Sequence, residues 1–176
     1  MTQNSITIDD KKFQAALRNM LDLVEQPKVP LTKMAAIVVM GIEENFDTQG
    51  THWGSKWPET EAPFKRIRDW QGYRETPTLE VSGNLRTSID SVGIGGYKQG
   101  VRIGFGMDYA EKMHNGEGGI ATFTKKSGTA SFSMPISRTH ARQLIPVSRG
   151  FNADEISKME KVMHDAVEKE WNKGAT

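Results

Sequence analysis

The chain is 176 residues long, 36% hydrophobic and 26% charged, with 23 Lys and Arg against 22 Asp and Glu for a formal net charge of +1. That length supports a core without metal or disulfide help, and the balance of charge argues against a dedicated nucleic-acid coat or a polybasic membrane-surface protein. The absence of cysteine excludes disulfides, thiolate metal sites and a Cys nucleophile.

A mean hydropathy of −0.55 with charges of mixed sign keeps the chain outside the disordered class. No apolar run approaches the roughly 20 residues of a membrane span. Residues 1–10 are polar and acidic, without the basic-then-apolar order of a signal peptide. A soluble intracellular product is expected.

Asp9 and Asp10 suit a helix N-cap and the positive end of a helix dipole. Phe13, Leu17, Met20, Leu21 and Val24 then recur every three or four residues and predict a first helix. Pro27 and Pro30 end it. Leu31, Met34, Ala35, Val38, Ile42 and Phe46 predict a second helix, with Thr32 as a candidate cap. The pair is expected to form a helical hairpin sharing one core face.

From 47 to 77 the period dissolves. Gly50, Gly54, Pro58, Pro63, Gly72 and Pro77 predict a long loop carrying Trp53, Trp57 and Trp70. Filling the gap between helix and sheet is the preferred use of these indoles, over stacking on a ligand. Lys65, Arg66, Arg68 and Arg74 make the stretch locally basic, which by default is a solvated face.

Ser82-Gly83-Asn84-Leu85 predicts a short helical turn or the start of a strand, residues 89–94 a weak strand, and Gly95-Gly96-Tyr97-Lys98-Gln99-Gly100 a hairpin connection. Val101, Ile103 and Phe105 alternate with Arg102, Gly104 and Gly106, the pattern of a half-buried strand. Tyr109, Ala110, Met113 and His114 sit at helical spacing for one or two turns, ended by Asn115-Gly116 and Gly118-Gly119.

Residues 118–150 carry Lys125, Lys126, Arg138, Arg142 and Arg149 and no acid. Within them, 122–124 and 130–134 read as two extended arms around Lys125-Lys126-Ser127-Gly128. A flexible basic arm is therefore expected at about 116–135, ordering only against a partner. The last helix opens at Asn152 or Asp154 and runs through Ile156, Met159, Val162, Met163, Ala166, Val167 and Trp171. Asp154 and Glu155 at its start, and Lys169 and Lys173 near its end, agree with the helix dipole. The fold expected is α+β, one domain over 1–176: two N-terminal helices, a small antiparallel sheet with a long hairpin arm, and a C-terminal helix packed on the sheet.

Motifs for chemistry are absent. There is no GxxxxGK[ST] phosphate loop, and Gly93-Ile94-Gly95-Gly96 lacks the spacing of a dinucleotide loop. No GxSxG elbow occurs. His52, His114, His140 and His164 never fall at a metal-ligand spacing such as HExxH, and His164-Asp165 with Glu168 one turn on is a weak metal pattern. For His114 a helix-end histidine bonded to backbone is the preferred reading over catalysis. No cofactor, metal or enzymatic activity is expected.

Several short motifs stand in a recognisable order. Glu44-Asn45-Phe46 closes the helical region, and Trp53-Gly54-Ser55-Lys56-Trp57 follows it. Leu79-Glu80-Val81-Ser82-Gly83-Asn84-Leu85-Arg86-Thr87-Ser88-Ile89 comes next, then Val101-Arg102-Ile103-Gly104-Phe105 with Tyr109-Ala110 and His114-Asn115-Gly116. Met134-Pro135 and Arg142-Gln143-Leu144-Ile145-Pro146 precede Asp154-Glu155-Ile156. Over roughly residues 30 to 170 this order resembles the tailed-phage virion morphogenesis, or tail-completion, family, which is related to the Mu-type morphogenesis protein and tail protein S.

The resemblance implies a structural protein that completes the tail and forms the head–tail junction or a tail-terminator ring. It implies self-association, with a hexameric ring on assembly, contacts to a tail tube protein and a head–tail connector protein, and a place in the virion tail or neck after assembly in the host cytoplasm. No membrane contact is implied, and nucleic acid is incidental as DNA passes the ring. Candidate partner or oligomer contacts are Lys125, Lys126, Arg138, Arg142, Trp53 and Trp57. The first alternative is a nucleic-acid-binding module using 118–150 and the basic 65–74 run. The second is a small hydrolase centred on His114 and Glu117.

Overall fold

The computed structural model describes residues 10–73, 79, 83–93, 100–125, 127–136, 142, 144–146 and 150–175. The class is α+β. In chain order the elements are α1 (Asp10–Glu25), α2 (Lys28–Asp47), α3 (Ala62–Gln71), α4 (Asn84–Thr87), β1 (Ile89–Gly93), β2 (Val101–Phe105), α5 (Ala110–Asn115), β3 (Gly119–Thr124), β4 (Ser131–Ile136) and α6 (Ala153–Ala175). Strand β1 pairs with β2, and β3 pairs antiparallel with β4. No described helix is long and apolar enough to cross a membrane.

Contacts cluster into two compact units built from discontinuous segments. The first takes residues up to Ile37, Val92–Arg102 and everything from Ala153 on; the second takes Val38–Ser91 and Ile103–Asn152. The outer ends of β1 and β2 thus belong to the same unit as α1 and α6.

In the first unit α1 packs along α6. Ala16 meets Gly174 and the Asn19 side-chain amide donates to the Glu170 carbonyl at 3.2 Å, so the helices run antiparallel. This corrects the expected hairpin of the first two helices, because the helical partner of α1 is α6. The predicted stripe on α1 is corrected with it: small Ala16 is buried, whereas Phe13, Leu17, Leu21 and Val24 are 46–66% exposed. Close backbone approach selects small residues, and the large ones are turned aside. Thr32 is not a cap. It lies inside α2, and its hydroxyl donates to the Lys28 carbonyl at 2.8 Å. Pro30 sits in the first turn of α2, where a missing N–H leaves no helical bond unmade.

In the second unit Ile42, Phe46, Trp53, Trp57, Leu85, Ala110 and Leu144 form one core, with Val38, Ile89, Ile103 and Phe105 packed against it. Phe46 meets Trp57 edge-on at 5.2 Å, a favoured aromatic geometry. Full burial of Ile42 and Phe46 stabilises by roughly 2–3 kcal/mol each. The expected 47–77 loop contains a helix, α3, that the Gly/Pro punctuation concealed. Pro63 lies in its first turn and Gly72 closes it in the left-handed conformation, so both residues mark helix ends. Two further short helices border glycines: α4 starts directly after Gly83 (φ 73°), and α5 stops, as expected, at Gly116 (φ 73°).

Candidate functional site

The basic arm is a formed hairpin. In the backbone register Thr122 pairs with Ser133 and Phe123 with Phe132, and the Thr122 and Ser133 hydroxyls are hydrogen-bonded at 2.8 Å. Its turn is closed by the Lys125 N–H donating to the Ala130 carbonyl at 2.9 Å and the Gly128 N–H donating to the Lys125 carbonyl at 2.8 Å. Gly128 has φ +72°, which a glycine adopts without the cost a side chain would add. The hairpin rests on α3. Trp70 meets Phe132 at 5.1 Å, and the Lys125 ammonium lies 5.3 Å over the Trp70 ring, within cation–π range. Trp70 and Phe132 both stay more than a third exposed. Among the described residues each strand of the β3–β4 pair has one neighbour, so its outer backbone edges face no other strand.

The six candidate contact residues do not gather at this hairpin. Lys125 is there. Lys126 and Arg138 lie outside the described residues. Trp53 and Trp57 are 5% and 4% exposed in the core, which favours the gap-filling reading of these two indoles. Arg142 is 6% exposed; its N–H donates to the Met113 carbonyl at 3.1 Å and its guanidinium reaches the Pro58 carbonyl at 3.5 Å. Burial, and secondarily the nearby Arg68, hold its pKa below the usual arginine range. Of the basic 65–74 run, Lys65 and Arg66 are exposed on α3, Lys65 pairing with Glu59 at 3.0 Å, while Arg68 is half-buried and Arg74 lies outside the described residues.

Beside α5 an open cleft of about 550 Å³ has apolar walls from Phe105, Met107, Leu144 and Ile145 and polar groups from Asp108, Glu111 and His114. The Leu144 N–H donates to His114 Nδ1 at 3.1 Å. An imidazole nitrogen accepting that bond carries no proton, so the neutral ring bears its hydrogen on Nε2. Burial lowers the His114 pKa in the same direction. The helix-end, backbone-bonded histidine expected from the sequence is what the structure contains. Glu117, its suggested partner, is exposed and accepts a hydrogen bond from the Asn115 amide at 3.0 Å.

Sequence reasoning missed a second histidine arrangement. His52 Nδ1 is 3.5 Å from a Glu44 carboxylate oxygen, and its Nε2 is 3.3 Å from the Asn152 amide nitrogen. With Nδ1–H donating to the carboxylate, Nε2 accepts from the amide, and the ring ties the end of α2 to the segment before α6. The only sequence signal was an acid eight residues before the histidine. The His164, Asp165 and Glu168 side chains do converge, at 3.9–4.0 Å from the ring nitrogen, but all three are exposed on α6.

The motif segments converge in space. Phe46, Trp53, Trp57, Leu85, Phe105, Ala110 and Leu144, drawn from five separate stretches of sequence, share one core. Arg142 and Leu144 each bond to α5, so the stretch after β4 runs against the Tyr109-Ala110…His114 turn. No protein-family model, curated protein or solved structure matches the chain.

Proposed function

We propose that this chain is a structural morphogenesis protein of a tailed phage, which completes the tail and forms its junction with the head or a terminator ring. The observation that carries the reading is the convergence just described. Motifs up to about a hundred residues apart, whose order resembles the tail-completion family, supply the apolar residues of a single core. The hairpin adds a means of assembly: among the described residues no further strand pairs with β3–β4, and a strand edge can be extended by a neighbour's strand through backbone hydrogen bonds. Repeated head-to-tail contacts close into a ring when the rotation divides a full turn. The tail tube, the head–tail connector and further copies of the chain are the partners of this reading, and the virion neck is its place.

The test is electron microscopy of lysates from a phage or prophage carrying a stop codon at Lys33. Filled heads beside separate full-length tails are expected for a joining role, and tails of irregular length for a terminator. Normal infectious particles would overturn the proposal.

One observation favours the nucleic-acid alternative. The two basic segments it invoked meet, with Lys125 over Trp70 and Lys65 and Arg66 on the same helix. Exposed aromatics among cations are what a single strand stacks on. Binding to single-stranded DNA that weakens steeply with salt, and disappears in a Lys125→Ser, Trp70→Ser variant, would support that reading.

A further inference from the structure

The cleft beside α5 combines acidic and apolar lining. Asp108 lies in the turn before α5, and Glu111 and His114 follow on the helix at three-residue intervals, the spacing of neighbours on one helical face. Phe105, Met107 and Ile145 supply apolar lining; each is half-buried, packed on the core and still open to the cleft. Among the described residues no lysine or arginine lines this space. Asp108 and Glu111 are exposed, and neither carboxylate is in an ion pair among the described residues. His114 adds a donor without adding charge. Its Nδ1 is committed to the Leu144 N–H, which leaves the Nε2–H as its hydrogen-bonding group for a ligand.

We infer that this cleft captures a segment of a partner protein in which an arginine stands next to an aliphatic residue. The guanidinium meets Asp108 and Glu111, whose charge no lining cation offsets. Its planar fork of five donors can serve two carboxylates together, which a compact ammonium does less well. The aliphatic neighbour lies on Phe105, Met107 and Ile145, and a backbone carbonyl of the segment accepts from His114 Nε2. Two features select this occupant. The donor atoms of Asp108, Glu111 and His114 do not all come within 4.8 Å of one another, as those of His164, Asp165 and Glu168 do, so they suit an extended ligand rather than one metal ion. The cleft, at about 550 Å³, has the volume of a ligand site but stays open. Sites for free small molecules bury most of their ligand, whereas an open one takes the side chains of a larger molecule. All of these residues belong to the second compact unit. This inference does not depend on the phage reading.

The experiment is an NMR titration of the isotope-labelled full chain with capped peptides in which Leu-Arg or Arg-Leu is flanked by alanines. The amide signals of Met107, Glu111 and Leu144 should shift saturably, with a Kd on the order of 1 mM for so short a probe. Replacing the arginine by citrulline keeps the shape and removes the charge, and should weaken binding about fivefold or more. Asp108→Asn and Glu111→Gln should each do the same from the protein's side. The citrulline comparison uses the wild-type chain, so it stands even where a variant fails to fold. Glu160→Gln, exposed on α6, should leave binding unchanged. Free arginine amide binding as tightly as the peptides would overturn the assignment of a protein segment. So would the absence of saturable shifts at about ten times that Kd, or binding indifferent to citrulline or to both acid substitutions.

Discussion

The Trp57 indole lies against the bare Cα of Gly50. A Cβ built on Gly50 would fall on the pyrrole edge of the Trp57 ring, and Gly50 holds φ +96°, where side chains are strained. The Trp57 N–H donates to the Gln49 carbonyl at 2.6 Å and the Gly50 N–H to the Asn45 carbonyl at 2.8 Å, so neither residue can slide away. Gly50→Ala is therefore expected to destabilise the protein by roughly 2–4 kcal/mol, from overpacking and backbone strain together. A lowered urea midpoint, with loss of native tryptophan fluorescence at lower denaturant, checks it; an unchanged midpoint would be inconsistent with the contact.

Gly174 gives a prediction whose sign opposes propensity. Gly to Ala in a helix ordinarily stabilises by up to about 1 kcal/mol. Here the added Cβ would meet the Ala16 backbone and lie 2.8 Å from the Ala15 carbonyl carbon. Gly174→Ala should lower Tm by forcing α1 away from α6 or fraying the last turn of α6. Faster amide exchange along α1 would identify the helix pair as the place of the loss.

His114 makes stability depend on pH. Burial lowers its pKa from the ordinary 6.5, and the Leu144 N–H requires an unprotonated Nδ1. Below about pH 6.5 the unfolded chain binds more protons than the folded one. The stabilisation from neutral His114 is thus complete above that pH and is lost as pH falls toward the lowered folded-state pKa. His114→Asn keeps an acceptor at the same position and should flatten the part of the stability profile just below pH 6.5. Urea titrations from pH 5 to 8 read the difference between the two slopes.

Arg142 is predicted to act on folding rather than on assembly alone. With 6% exposure and a guanidinium reaching the Pro58 carbonyl, its side chain fills a buried polar site that Ser would leave empty. Arg142→Ser should cost about 2 kcal/mol or more, while Lys125→Ser should change stability by less than about 1 kcal/mol. Denaturation of the two variants separates a structural arginine from a surface lysine. If both behave like wild type, the buried position of Arg142 is wrong.

Local elements with their own signals were legible in the sequence. The β3–β4 hairpin has arms on either side of Lys125-Lys126-Ser127-Gly128, α5 has Tyr109 to His114 with a terminal Gly116, and α6 has acids first and lysines last. The α3 helix had a signal too, Pro63 inside its start and Gly72 past its end, but both residues read equally well as loop markers. What periodicity could not reveal was which side of an apolar stripe meets a partner. Phe13, Leu17 and Leu21 satisfy helical spacing whether α1 packs through them or, as here, through Ala16. Partner choice depends on tertiary geometry. The buried state of Arg142 was hidden for a related reason: a cation in an acid-free stretch looks solvent-facing until the core around Leu144 and the Pro58 carbonyl surround it.

The pairing of α1 with α6 also sets a timetable for biosynthesis. Asn19 waits for a partner 151 residues downstream. At about 5–20 residues per second a ribosome needs roughly 8–30 s to supply it. During that interval the second unit, whose segments end at Asn152, is already synthesised, whereas α1 has no helix to dock on. Its exposed leucines and Phe13 are then open to chaperones or to neighbouring nascent chains. A chain interrupted before α6 would keep the Trp57 core and lose the partner of its own first helix.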